Sequence, residues 1–324
     1  MLLAGSHRVA SILQSTGLGC VAVALLLLGS RASAADDALA ALGPAGPIEK
    51  VAGDFAFVEG PADDGQGNLY FTDIPNQRIH RLAADGQLTV FAENSRHTNG
   101  LMFTPAGKLL ACEMDGALVE WDVAGPTRRV LVDKYDGTRF NACNDLVLDS
   151  AGGIYFTDPH YNAPRPLPQT VQGVYYLAPD GTVTRVVDDL PAPNGILLSK
   201  DEQTLFVAPT ESMGVLAYPI EAPGKLGDGR DFCQLHARGN RDIVGCDGCT
   251  MDEHGNLYVT TELGVQVVSP QGEWLGVIET PEQPANCTFG GPDGTTLYVT
   301  ARTSLYAVPM RVKGHRYGNN KSAD

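Results

Sequence analysis

The chain has 324 residues, with 38 acidic against 23 basic side chains and a formal net charge of −15. So acidic a surface repels phosphate backbones and anionic lipid, which argues against nucleic acid and membrane surfaces as partners. The length and the 43% hydrophobic content suit one large all-β domain better than two unrelated ones.

In chain order, Arg8 precedes an apolar run, Leu18–Gly29, and Ala32-Ser33-Ala34 reads as an A-x-A cleavage site. At 12 residues the run is shorter than the roughly 20 that a membrane span needs. Residues 1–34 are therefore expected to be a signal peptide, leaving a periplasmic or secreted protein that starts at Ala35. Cys20 stands at the head of the apolar run and not at its end, which disfavours a lipid anchor. Residues 35–46, rich in Ala, Gly and Pro, are expected to be flexible, as is the basic, polar tail 313–324.

Between these ends one pattern returns. Gly67-Asn68-Leu69-Tyr70-Phe71-Thr72-Asp73 is echoed around Leu110, Tyr155, Phe206, Tyr258 and Tyr298, at intervals of 40, 45, 51, 52 and 40 residues. Six copies at this period predict a six-bladed β-propeller over residues 47–312. Blade three is the most legible. Its strands are expected at Asn144–Asp149, Gly153–Asp158, Gly173–Leu177 and Thr182–Val187, with Pro179-Asp180-Gly181 as a tight turn. Blade six shows Asn286–Phe289, Thr296–Ala301 and Ser304–Pro309 and lacks a fourth strand. Residues Pro47–Ala52 are expected to supply it, closing the ring and removing a free sheet edge. The longest insertion, Pro159–Gln172, is long enough to be a functional loop.

Eleven or twelve residues before each marker stands a polar residue: Glu59, Asn99, Asn144, Asn194, Asp247 and Asn286. Inner strands of a propeller line its channel, so these six side chains are expected at one height, converging on one axis. Asn and Asp also begin strands for their turn chemistry, but that does not account for six in register, one of them Glu. Converging buried carboxylates repel, and a hard divalent cation resolves the repulsion. Carboxylate and amide oxygens suit Ca²⁺, with Mg²⁺, Mn²⁺ or Zn²⁺ as alternatives.

Six cysteines follow Cys20: Cys112, Cys143, Cys233, Cys246, Cys249 and Cys287. They permit disulfides without selecting a pairing. Cys246-Asp247-Gly248-Cys249 has zinc or redox spacing but lacks a second CxxC, so buried or disulfide-bonded strand cysteines are the simpler expectation.

Glu59-Gly60-Pro61, His97-Thr98-Asn99-Gly100-Leu101, Arg139-Phe140-Asn141-Ala142-Cys143-Asn144-Asp145-Leu146, Thr157-Asp158-Pro159, Pro193-Asn194-Gly195, Asp247-Gly248 and Asn286-Cys287-Thr288-Phe289 occur in that order. In these motifs the chain resembles the bacterial gluconolactonase branch of the SMP-30/gluconolactonase/luciferin-regenerating-enzyme family, six-bladed metal-dependent propellers. The resemblance implies Glu59, Asn144, Asn194 and Asp247 as metal ligands and Arg139 and Asn141 as substrate-side groups. Relatives read Arg-Leu-Asn-Ser-Pro-Asn-Asp where this chain has Phe140 and Ala142-Cys143. His160 stands where relatives often carry a second proline.

The function expected is that of an exported, metal-dependent hydrolase opening a sugar lactone, as a monomer or weak oligomer. The cation polarises the ring carbonyl, and Asp247 serves as general base toward water. Arg139, Asn141, Asn99, His160 and Asn286 are candidate substrate-binding residues, with a surface cation as the lesser reading of Arg139. His97 and His160 read as pocket candidates or as hydrogen-bonded structural residues. An organophosphate or ester hydrolase on the same metal site is the rival reaction. A non-catalytic ligand-binding propeller is the rival of another class. No G-x-S-x-G, H-E-x-x-H, Walker A or dinucleotide fingerprint is present.

Overall fold

The structure is a computed structural model and describes residues 37–318. The signal-peptide segment 1–34 lies outside the described residues. Six antiparallel sheets follow one another along the chain. Blade one is Val58–Asp63, Leu69–Asp73, Arg78–Leu82 and Leu88–Glu93, and blade two is Thr98–Phe103, Lys108–Glu113, Ala117–Asp122 and Thr127–Val132. Blade three is Leu146–Leu148, Ile154–Asp158, Gly173–Leu177 and Val183–Val187. Blade four is Pro193–Leu198, Thr204–Pro209, Gly214–Ala222 and Arg230–Gln234, with the short Lys225–Leu226 beside its third strand. Blade five is Cys249–Met251, Leu257–Thr261, Gly264–Val268 and Trp274–Ile278. In blade six, Pro284–Gly290, Thr296–Ala301 and Ser304–Pro309 take Glu49–Ala52 as their outer strand. The chain is thus a six-bladed β-propeller.

The recurring markers have a physical meaning in this architecture. A strand alternates its side chains, and in a propeller both faces of a blade are covered by neighbours. Leu109 and Ala111 pack toward blade one while Leu110 and Cys112 pack toward blade three. The same division holds around the ring. Tyr70, Leu110, Tyr155, Phe206 and Tyr258 each join the cluster shared with the following blade, and Tyr298 packs on the cluster between blades six and one. Six hydrophobic clusters result, one between each pair of neighbours. A fully buried side chain of this size contributes about 1.5–3 kcal/mol.

Both ends of the described chain are better organised than their composition predicts. Residues 37–42 form a short helix, whose Leu39 and Leu42 pack on the cluster between blades five and six. Arg311 binds this segment through its N–H to Leu42 O at 2.8 Å and its guanidinium to Pro44 O at 2.7 Å.

Residues 313–318 cross the channel mouth where the inner strands end. Gly314 donates to Gly294 O at 3.0 Å in blade six and bridges Asp252 in blade five. His315 N–H reaches Met251 O at 2.9 Å, Arg316 meets Asp63 Oδ1 of blade one at 3.1 Å, and Tyr317 OH donates to Leu198 O of blade four at 2.9 Å. The expected loose tail is, over these residues, a strap.

Candidate metal centre and active site

The six polar positions stand where the inner strands are irregular. Register shifts fall at Glu59–Ala62, Thr98–Leu101, Pro193–Gly195 and Pro284–Asn286. In blades three and five the ladder between the first two strands begins only after the ring residue, at Leu146 and Cys249. Such bulges re-aim a side chain, and the side chains of Glu59, Asn194, Asp247 and Asn286 meet one another across the blades.

The residues after them let the blades approach. At Gly60, with φ 45°, a Cβ would lie 2.0 Å from Asn99 O, and at Gly248 one would lie 2.0 Å from Asn286 Cγ. No larger residue fits either position. Gly100 N–H donates to Asn144 O at 2.8 Å, and Gly195 N–H to Asp247 O at 3.2 Å. Threonine hydroxyls complete the joinery: Thr72 to Asn99 O at 3.1 Å, Thr157 to Asn194 O at 2.9 Å, and Thr260 to Ala285 O at 2.7 Å. The ring thus runs unbroken from Glu59 through Asn99, Asn144, Asn194, Asp247 and Asn286. The threonines are functional residues that sequence reasoning passed over. Their signal is a Thr two places after the marker in four of six copies, which reads at first as ordinary strand propensity.

Electrostatically the ring is under stress. Glu59 is 3% exposed, and burial pushes its carboxyl up to about 7 against hydrogen bonds from Gly60 and Asn286. Burial and then the charge of Glu59 push Asp145 up to about 7. Asp247 is half-buried as a residue, but its carboxyl is deep. Burial first and Glu59 second hold it well above the carboxylate range, while Asn194 Nδ2 at 2.6 Å from Oδ1 works the other way.

Among the described residues no three His, Cys, Asp or Glu side chains gather as a metal cage. The donors here are two carboxylates and several amides. They suit a hard cation on two counts: the stressed carboxylates, and amide oxygens left open. Asn194 directs its nitrogen at Asp247 and Thr210, and its Oδ1 receives no donor among the described residues. Asn144, 3% exposed, makes no side-chain hydrogen bond among them.

The other candidates divide. Asn286 accepts from Cys287 N–H at 2.8 Å and hydrogen-bonds the carboxyls of Glu59 and Asp145, so it belongs to the ring. Asn99 reaches Met114 Sδ at 4.0 Å, and Met114 O lies 3.4 Å from the Arg139 guanidinium, which also donates to Phe140 O and Asn141 O. This places Arg139, half-buried, beside the ring.

Asn141 is wholly buried, and its amide is engaged at both ends: Nδ2 to Val171 O at 3.0 Å, Oδ1 from Gln169 N–H at 3.0 Å. Its side chain clamps the Pro159–Gln172 loop. Asp158 holds the N–H groups of Asn141 and Ala142, both at 2.8 Å, which is why the motifs around Asn141 and Asp158 occur together. His160 Nδ1 pairs with Gln172 Oε1 on the same loop, and His97 Nδ1 with Asp115 Oδ1 at 2.9 Å. Tyr161, which sequence reasoning did not single out, reaches the site from this loop.

The six cysteines are free thiols, five of them buried. Cys246 and Cys233 lie in the cluster between blades four and five. Below the ring a cavity of about 390 Å³ extends from Gly60, Asp145 and Asn286 down to His315, Arg316 and Tyr317 of the strap.

Fold and site together define a six-bladed propeller with a ring of oxygen donors at one mouth of its channel. The chain belongs to the SMP-30/Gluconolactonase/LRE-like family, whose model matches residues 57–303. A gluconolactonase of Zymomonas mobilis is 32% identical over 295 residues, covering 83% of this chain and 82% of that one. A pentonolactonase of Haloferax volcanii is 29% identical over 250 residues, covering 75% and 80%. The structure of a gluconolactonase from Xanthomonas campestris superposes with a TM-score of 0.77 at 31% identity, covering 84% of this chain and 92% of that one.

Proposed function

We propose that this protein is a divalent-cation-dependent lactonase that hydrolyses a sugar lactone, as the names of its gluconolactonase and pentonolactonase relatives suggest. The observation that carries the reading is the ring itself, in which stressed carboxylates and open amide oxygens face one axis. Glu59, Asn144, Asn194 and Asp247 would hold the cation, with Ca²⁺ the best match to an all-oxygen donor set. When bound, it would supply Lewis-acid polarisation of the lactone carbonyl.

The chain's own groups do the rest. Asp247 takes the proton of the attacking water, its Oδ1 fixed by Asn194 and its basicity raised by burial and by Glu59. Asn286 holds the Glu59 carboxyl in place. Arg139, steadied by three backbone carbonyls beside Asn99, orients the hydroxyls of the sugar. Asn141 acts one step back, fixing the loop that walls the site, and His160 stands on that wall.

We also place the mature protein outside the cytoplasm, on the strength of Arg8, Leu18–Gly29 and Ala32-Ser33-Ala34. N-terminal sequencing of the exported product is expected to begin at Ala35. The test of activity is turnover of an aldonolactone panel, with a paraoxon-like ester as comparison, before and after chelation. Lactone turnover lost on chelation and regained with Ca²⁺ is expected. Turnover indifferent to chelation would overturn the reading.

A further inference from the structure

We propose that Tyr161 and Thr210 are a pair of positioning residues that turn the Asn194 carboxamide so that its oxygen, and not its nitrogen, faces the channel. The inference follows from counting protons. Thr210 has one hydroxyl proton, and it lies 2.8 Å from Cys246 O, which can only accept. Thr210 Oγ1 is therefore an acceptor toward its two other neighbours, Tyr161 OH at 2.5 Å and Asn194 Nδ2 at 3.1 Å. Tyr161 gives its proton to Thr210 (Ala192 O, at 3.5 Å, is the weaker alternative) and turns a lone pair toward Asn194 Nδ2 at 3.4 Å. Of the two amide protons, Asp247 Oδ1 takes one at 2.6 Å, and Thr210 Oγ1 and Tyr161 OH share the other.

Reversing the amide would set its oxygen against a Thr210 lone pair, whatever the protonation of Asp247, because Cys246 O already takes the one Thr210 proton. Only one orientation satisfies Thr210 and Tyr161 together, and it leaves Oδ1 open. The partners are themselves held. Tyr161 sits on the Pro159–Gln172 loop, whose far end Asn141 clamps through Gln169 and Val171. Thr210 follows the second strand of blade four and donates its N–H to Ala192 O at 2.9 Å. The ring of Tyr161, 42% exposed, remains free to meet substrate while its hydroxyl serves the amide. Loop and ligand are thereby coupled through one oxygen atom.

This inference rests on Asn194 being a ligand of the cation. The test is calorimetric titration of Ca²⁺ into the chelated full-length chain. Thr210→Val is expected to weaken binding about tenfold, in the range typical for groups that orient a ligand, and Tyr161→Phe by a few-fold. Thr210→Ser, which keeps the hydroxyl, is expected to bind within about twofold of the parent. The double variant is expected to lose less than the product of the single losses, because both act on one amide. In an Asn194→Asp background both faces of the group are oxygen, so Thr210→Val is expected to lose no more than about twofold. A general disturbance of blade four would weaken binding in that background too, and would overturn the proposal. So would parental affinity in both Tyr161→Phe and Thr210→Val. If the parent itself binds no Ca²⁺, the reading of the ring as a metal centre fails, and this inference falls with it.

Discussion

The two mouths of the channel are built from the same six strands and end in opposite states. At the lower mouth the strap satisfies what it meets: Arg316 on Asp63, Tyr317 on Leu198 O, His315 on Met251 O. At the upper mouth Glu59, Asp145 and Asp247 are buried near one another, and the amide oxygens of Asn144 and Asn194 receive no donor among the described residues. The difference teaches that stress at the ring is local, since the same six strands pair what they meet at their other end. Sites that bind and react are commonly the places where a fold tolerates such cost.

Breaking the ring at its most stressed carboxylate has the largest expected effect. Asp247→Asn should reduce lactone kcat/KM by at least a hundredfold, measured by titrating released acid. The same substitution removes a buried charge, so the chelated variant should melt higher than the chelated parent at pH 8. Activity above about a tenth of the parent would exclude Asp247 as the base.

Next comes the pH dependence of the metal-free protein. Glu59 and Asp145 titrate at about 7 in the folded chain against ordinary values of 4.5 and 3.8. The folded state then keeps protons that the unfolded state has already lost, so stability falls as pH rises from about 4 through 7. Chelated protein should melt lower at pH 8 than at pH 5, and Ca²⁺ should raise the melting temperature more at pH 8. Equal melting temperatures at the two pH values would show that the carboxylates are not under stress.

Smaller effects separate frame from ring. Thr157→Val leaves Asn194 O without its hydroxyl donor and should cost about 1–2 kcal/mol in denaturant melts, with cation affinity reduced as well. Arg316→Ala should cost roughly 1 kcal/mol or less, since Arg316 is half-exposed, and should leave cation affinity unchanged. An affinity change in Arg316→Ala would mean that the two mouths are not independent.

Much of this was legible in the sequence, for a definite reason. The markers recur because each must fill the interface with the next blade, and the ring residues recur because each stands where the first strand of its blade begins or just before it. What stayed illegible depends on contacts that no spacing reports. Asn141 looks like a substrate group beside Arg139, yet Gln169 and Val171, some thirty residues on, claim its amide. Thr210 looks like a turn residue after a strand, and Tyr161 like part of a Pro-rich insertion. The composition of 313–318 is that of a free tail because its partners are backbone carbonyls and one aspartate scattered over the other mouth.

The back-to-back placement of Leu109 and Leu110 carries one more consequence. A single blade owns no interior, since one of its faces completes the neighbour before it and the other the neighbour after it. The unit that the sequence copies and the unit that holds together against heat are therefore out of step by half a repeat. Duplicating or deleting a whole motif would preserve the strand pairing within each blade and still leave one mismatched seam, so a chain of this kind changes its blade number only by rewriting the two faces that meet there.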